Sequence, residues 1–162
     1  MSAASKLLIF GGVALAGFGM LYGLHYALFV EHQALDSMGN SLATAFTSAA
    51  ARHLPDAHAA IAAYGATKYD YVRQVDVHSH WIGLAMLMIV LGVAMDHVAF
   101  GRRLRFWIAL NLLVGSVVFP LGVLLQSESH GASYASATAI VGVILVTVAL
   151  AAVAAGFARG SV

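Results

Sequence analysis

Residues 104–125 read LRFWIALNLLVGSVVFPLGVLL, 22 positions with a single charge, Arg105, next to the start. A helix rising 1.5 Å per residue carries such a run across about 33 Å, enough for the roughly 30 Å of bilayer hydrocarbon. Three further stretches have the same character: Leu7 to Val30, Trp81 to Phe100 and Ala135 to Phe157. Four spans in 162 residues leave room for one domain and little else. The composition agrees, at 61% hydrophobic and 9% charged, where a soluble domain has about a quarter of its residues charged. The expected fold is therefore all-α, an integral membrane four-helix bundle occupying residues 1–162 as a single domain.

Four crossings place both termini on one side. The first apolar run exceeds the h-region of a signal peptide, so it reads as a retained helix. Lys6, Arg102, Arg103, Arg105 and Arg159 share the side of the termini, and the short basic turn at 102–105 is expected to be cytoplasmic. The long connection from Glu31 to Ser79 then lies outside, with Arg52, Lys68 and Arg73 offset by Asp36, Asp56, Asp70 and Asp76. This predicts a multi-pass protein of a bacterial inner membrane, both termini cytoplasmic. Within the connection, Asp36 or Ser37 can cap a helix bearing Leu35, Met38, Leu42, Phe46 and Ala49, and Pro55-Asp56 opens a second bearing Ile61, Tyr64 and Val72. Two short amphipathic helices are expected, forming a lid over the outer end of the bundle at 31–79.

Helical spacing sorts the faces of the spans. Gly12, Ala16, Gly19, Gly23 and Tyr26 form a small-residue seam on the first, opposite an aromatic face of Phe18, Tyr22, His25 and Phe29. On the third, Asn111, Gly115, Gly122 and Gln126 align; on the fourth, Thr138, Gly142, Ala149 and Gly156. Lipid offers an amide no partner, so Asn111 and Gln126 are expected to bond between helices.

The chain has no cysteine, which excludes disulfides, thiolate zinc sites and iron–sulfur clusters and leaves nitrogen and oxygen ligands. It has eight histidines. The topology puts seven on the outer side, all but His97, and His25, His78, His80 and His130 can converge from the ends of the helices. Such imidazoles suit iron, copper or zinc, with Asp76 and Glu128 as carboxylate acceptors or ligands. His78 and His80 lie about 200° apart on a helix; His78 shares a face with Ala85, Ile89, Gly92 and Asp96, and His80 with Leu84, Leu87 and Leu91. Basic residues are too few and scattered for nucleic acid, and no nucleotide or Ser–His–Asp constellation is present.

The stretch Val75-Asp76-Val77-His78-Ser79-His80-Trp81-Ile82-Gly83-Leu84-Ala85, with support from Phe119-Pro120-Leu121-Gly122, resembles the His-x-His helix start of small four-span membrane haem proteins related to haem–copper oxidase subunit I. The resemblance implies a haem b near the outer surface with His78 or His80 as one axial ligand and His25 or His130 as candidates for the other. It does not extend to the adjacent His-His pair of an oxygen-reducing copper centre. Three functions stand as expectations. The first is electron transfer through a bis-histidine haem b, with a quinol or a periplasmic redox protein as partner. The second is a copper or zinc site for sensing, storage or delivery, built from His78, His80, His130, Glu128 and Asp76. The third is a structural accessory subunit of a larger respiratory complex or a homo-oligomer.

Overall fold

The computed structural model describes residues 1–128 and 132–160, and among them the chain is helical almost throughout. Five helices follow one another: α1 (Ala3–Phe29), α2 (Glu31–Ala50), α3 (Leu54–Ala94), α4 (Arg102–Glu128) and α5 (Ser133–Gly160), with a 3-10 turn at Met95–His97 after α3. Four of them, α1, α3, α4 and α5, are long and apolar enough to cross a membrane. The chain is a multi-pass helical membrane protein. Ser2 caps α1 by accepting from the Ser5 amide at 3.2 Å, and its own amide donates to Asp96 beyond the end of α3. The Ala99 amide donates to Gly156 O at 3.1 Å, so α5 ends beside the same turn. Both described chain ends therefore meet at one end of the bundle, called the arginine end below; the other is the histidine end.

The connection between the first two spans differs from the expected lid. Its first half is α2, which follows α1 across Val30 with helical hydrogen bonds on either side of the junction, Val30 N to Tyr26 O and Ala34 N to Val30 O. Its second half is no separate helix, because α3 runs on for 41 residues without interruption. At 1.5 Å per residue that is about 60 Å, twice the hydrocarbon thickness. No proline or capping break falls between Asp56 and Trp81, so nothing in the sequence stops the helix. Every Asp, Lys and Arg of α3 lies before Trp81, which leaves its first half as a polar extension beyond the apolar slab. There α2 packs along α3 as an antiparallel hairpin rather than across the bundle.

One seam joins both halves. The least exposed positions of α3 recur at three- and four-residue steps, through Ala57, Ala60, Tyr64, Thr67, Tyr71 and Gln74 and on through Val77, Trp81, Ala85, Met88 and Gly92. Ala34, Met38, Ser41, Ala45 and Ser48 do the same on α2, and Leu8, Gly12, Leu15, Gly19 and Tyr26 on α1. This is the heptad spacing of antiparallel helices wound left-handed about one another. The α1 seam has the close approach that the small-residue pattern predicted: a Cβ on Gly12 would press on Ala85 O at 2.8 Å, and one on Gly23 would overlap the His78 ring.

Helix α4 is the shared wall, packed on α1, α3 and α5. Against α5 it closes through Gly122 on the Ala139 backbone and Gly142 on the Phe119 backbone. Asn111 Nδ2 donates to Leu145 O at 3.1 Å and Gln126 Nε2 to Ser136 Oγ at 3.4 Å, so both amides tie α4 to α5 as their positions suggested.

Candidate functional site at the histidine end

The histidines separate according to the helix face each occupies. His78 turns to α1, its Nδ1 2.9 Å from Gly19 O. A carbonyl only accepts, so Nδ1 carries the proton and Nε2 is the basic nitrogen. His80, two residues on, turns to α4 and stands edge-on to Phe119 with ring centroids 4.6 Å apart. Its Nδ1 is buried with no partner among the described residues. His25 stacks on Phe29 at 5.4 Å and lines a cavity between α1, α3 and α4. His130 lies outside the described residues. Asp76 pairs with Arg73 on its own helix at 3.6 Å, whereas Glu128 lines the same cavity as His25. Of the six expected site residues, then, the structure brings together His25 and Glu128. Among the described residues no three His, Asp or Glu side chains form a group able to hold a metal ion.

The cavity shared by His25 and Glu128 has a volume of about 360 Å³ and is otherwise lined by Tyr22, Tyr26, Val30, Gln74 and Leu124. A chain of hydrogen bonds crosses it from helix to helix. The Tyr22 hydroxyl donates to Gln74 Oε1, Gln74 Nε2 donates to Ser127 Oγ at 3.1 Å, and Ser127 Oγ donates to Leu124 O at 2.9 Å. Tyr26 is 7% exposed, and its hydroxyl has no hydrogen-bond partner among the described residues. Burying a hydroxyl unpaired costs about 1–3 kcal/mol by protein mutational data, so this atom is an unmet polar valence of the site, as is Trp81 Nε1 in the slot below. The Tyr26 ring lies 6.2 Å from that of Tyr71, whose hydroxyl donates to Glu31 Oε1 at 3.3 Å. On the extension of α3, loss of solvent around Tyr71 and the Glu31 carboxylate beside it push that phenol above its usual range.

Towards the bundle centre a second cavity, about 460 Å³, continues along the same α1–α4 seam. Gly11, Leu15 and Phe18 of α1, Trp81 of α3, and Leu113 and Val117 of α4 make it apolar. Trp81, 1% exposed, is its floor, with Phe18 and Tyr22 edge-on to the indole at 4.8 and 5.1 Å. Tyr22, which lines the first cavity, thus touches Trp81, which lines the second. The α1 residues of the pair, Gly11, Ala14, Leu15, Phe18, Tyr22, His25 and Tyr26, step by three, one, three, four, three and one, a single stripe along one helix.

Sequence reasoning passed over Gln74 and gave Tyr26 only a packing role. The signal for Gln74 was present: it precedes Trp81 by seven residues, two helical turns, and shares its face once α3 is known to be continuous. Tyr26 closes the small-residue seam, where a phenol is the one member able to donate. Comparison with protein-family models, curated proteins and solved structures returns no match for this chain.

Proposed function

We propose that this chain is an integral membrane binding protein for a membrane-soluble amphiphile, which it receives in the α1–α4 seam with the polar head in the Tyr26 cavity and the apolar chain over Trp81. The histidine end faces outward in this reading, because the basic Arg102–Arg105 turn favours the cytoplasm. The observation that carries it is the unpaired, buried Tyr26 hydroxyl at the head of an apolar slot. A ligand with one polar end and one apolar chain satisfies both features, and few convergent polar groups over an apolar wall is the usual make-up of a small-molecule site. A quinol, the partner expected from the sequence, is one such molecule.

The test uses Trp81 as a reporter in a Trp107→Phe background, since the chain has two tryptophans. An amphiphile brominated along its chain, titrated into the detergent-solubilised protein, is expected to quench Trp81 saturably. Ala14→Phe, which fills the slot from an exposed position of α1, should abolish the saturable part. Quenching that rises linearly and ignores Ala14→Phe would remove the proposal.

A haem held by His78 is the second reading, favoured by the Nδ1 contact with Gly19 O, the kind of bond that orients a ligating imidazole and leaves Nε2 for the metal. The bis-histidine form has less support, because His25, His78 and His80 engage three different surroundings: Phe29 and the Tyr26 cavity, α1, and Phe119 of α4 respectively. An absorption spectrum of the protein as purified decides: a Soret band lost in His78→Ala supports haem, and its absence sinks this reading.

A further inference from the structure

The chemistry left free in the Tyr26 cavity says which polar head it takes, and the inference rests on the amphiphile reading above. Apart from the Tyr26 O–H and the His25 imidazole, the donors of the cavity are spent. Tyr22 donates to Gln74, and Gln74 donates to Ser127. No lysine or arginine lines it. Arg73, on the neighbouring face of α3, is held by Asp76 at 3.6 Å and lies over the Tyr69 ring at 5.1 Å. What remains is mostly acceptor and π surface: the carboxylate of Glu128, the oxygen of Tyr26, and the rings of Tyr22 and Tyr26, with His25 beside them. Glu31 adds a second carboxylate nearby through Tyr71, whose ring neighbours that of Tyr26.

A phosphate or sulfate head that carries no cation of its own meets carboxylate here with nothing to balance it, and loses its hydration for nothing. A neutral hydroxyl head can accept from Tyr26 and donate to Glu128, but it leaves the carboxylate charge unbalanced. A protonated amine balances that charge. It donates to Glu128 and to the Tyr26 oxygen, beside tyrosine rings of the kind that attract cations. We infer that the ligand is a primary ammonium group carried on an apolar chain, the chemistry shared by a simple long-chain amine and by an ethanolamine phospholipid.

The experiment compares amphiphiles of one chain length that differ only in the head, an amine, an alcohol and a sulfate, binding to the full-length protein in neutral detergent with Trp81 quenching as the readout. The amine is expected to bind about tenfold or more tightly than the alcohol, and the sulfate most weakly. Glu128→Gln, at an exposed position that tolerates the change, should bring amine and alcohol within about twofold of each other. Tyr26→Phe should weaken both while leaving the helical circular dichroism signal intact. Equal binding of amine and alcohol by the unaltered protein overturns the ammonium inference and leaves the amphiphile reading standing; no saturable binding by any head removes both. Sulfate binding tighter than amine also overturns it. To separate the sources, nanodiscs of phosphatidylethanolamine and of phosphatidylcholine are used as competitors: displacement of the amine by the ethanolamine discs alone identifies the lipid, and displacement by neither identifies a free amine.

Discussion

Arg52 takes a backbone conformation that glycine adopts freely and other residues do not. Its φ is 61°, the one positive φ outside glycine among the described residues, and it ends α2 with the His53 amide on Ser48 O at 2.8 Å and its own amide on Ala49 O at 3.0 Å. That pair of bonds is a Schellman termination, where glycine is the usual occupant. Arg52→Gly should therefore stabilise the α2–α3 turn by about 1 kcal/mol, read as a higher midpoint in thermal or denaturant unfolding. Gly23 shows the opposite sensitivity. With the His78 ring against its Cα, Gly23→Ala forces the imidazole or the helix aside and should cost about 1–3 kcal/mol as an overpacking change. The nitrogen resonances of His78 should move with it, while those of His80, which faces Phe119 instead, should not.

At the scale of elements, the two halves of α3 are stabilised unequally. Around the span it buries Val77, Trp81, Met88 and, at the close approaches, Ala85 and Gly92; between Leu54 and Gln74 only Ala57 and Ala60 are buried, and on α2 only Ala45. Alanine removes little apolar area from water, so the hairpin depends on being rooted in the bundle. Hydrogen exchange should rise from Gln74 towards Leu54 along one unbroken helix, and a peptide of residues 31–79 should be largely unfolded in water. A uniform exchange profile across Leu54–Ala94 would contradict this. The same weakness explains why the extension was hard to foresee. The span seams announce themselves as glycines at helical spacing in apolar runs, and Asn111 and Gln126 as amides with nowhere else to bond. The Ala–Ser–Thr seam of the hairpin carries the same heptad with residues that read equally well as exposed, so the continuity of α3 and the place of Gln74 followed only from the structure. The divergence of His78 and His80 was legible as an angle; the helix each one meets was not.

For the whole molecule, α4 is the element that all three other spans need. Its contact with α5 is backbone against small residue, Gly122 on Ala139 and Gly142 on Phe119, and two interhelical amide bonds reinforce it. Asn111→Leu should cost about 0.6 kcal/mol, the average for such bonds in membranes. Gly122→Leu should separate α5 from α4 altogether, seen as loss of a cross-link between cysteines placed at Gln126 and Ser136. The absence of native cysteine makes single- and double-cysteine probes direct. Topology is open to the same method: a cysteine at Lys68 and one at Arg103 should label from opposite sides of the membrane.

The uninterrupted α3 has a mechanical meaning. Leu54 at the tip, Gln74 in the polar cavity and Trp81 under the apolar slot belong to a single rod, and a helix whose interior has a lone Gly65 but no proline or glycine pair between them bends only gently. A force applied to the hairpin tip, about 30 Å away by helical rise, acts on the cavity through a lever arm whose fulcrum is the α1 contact at Gly19 and Gly23. Two adjacent glycines placed at Lys68 and Tyr69 would act as a joint in that lever, severing the tip from the cavity while leaving both ends folded.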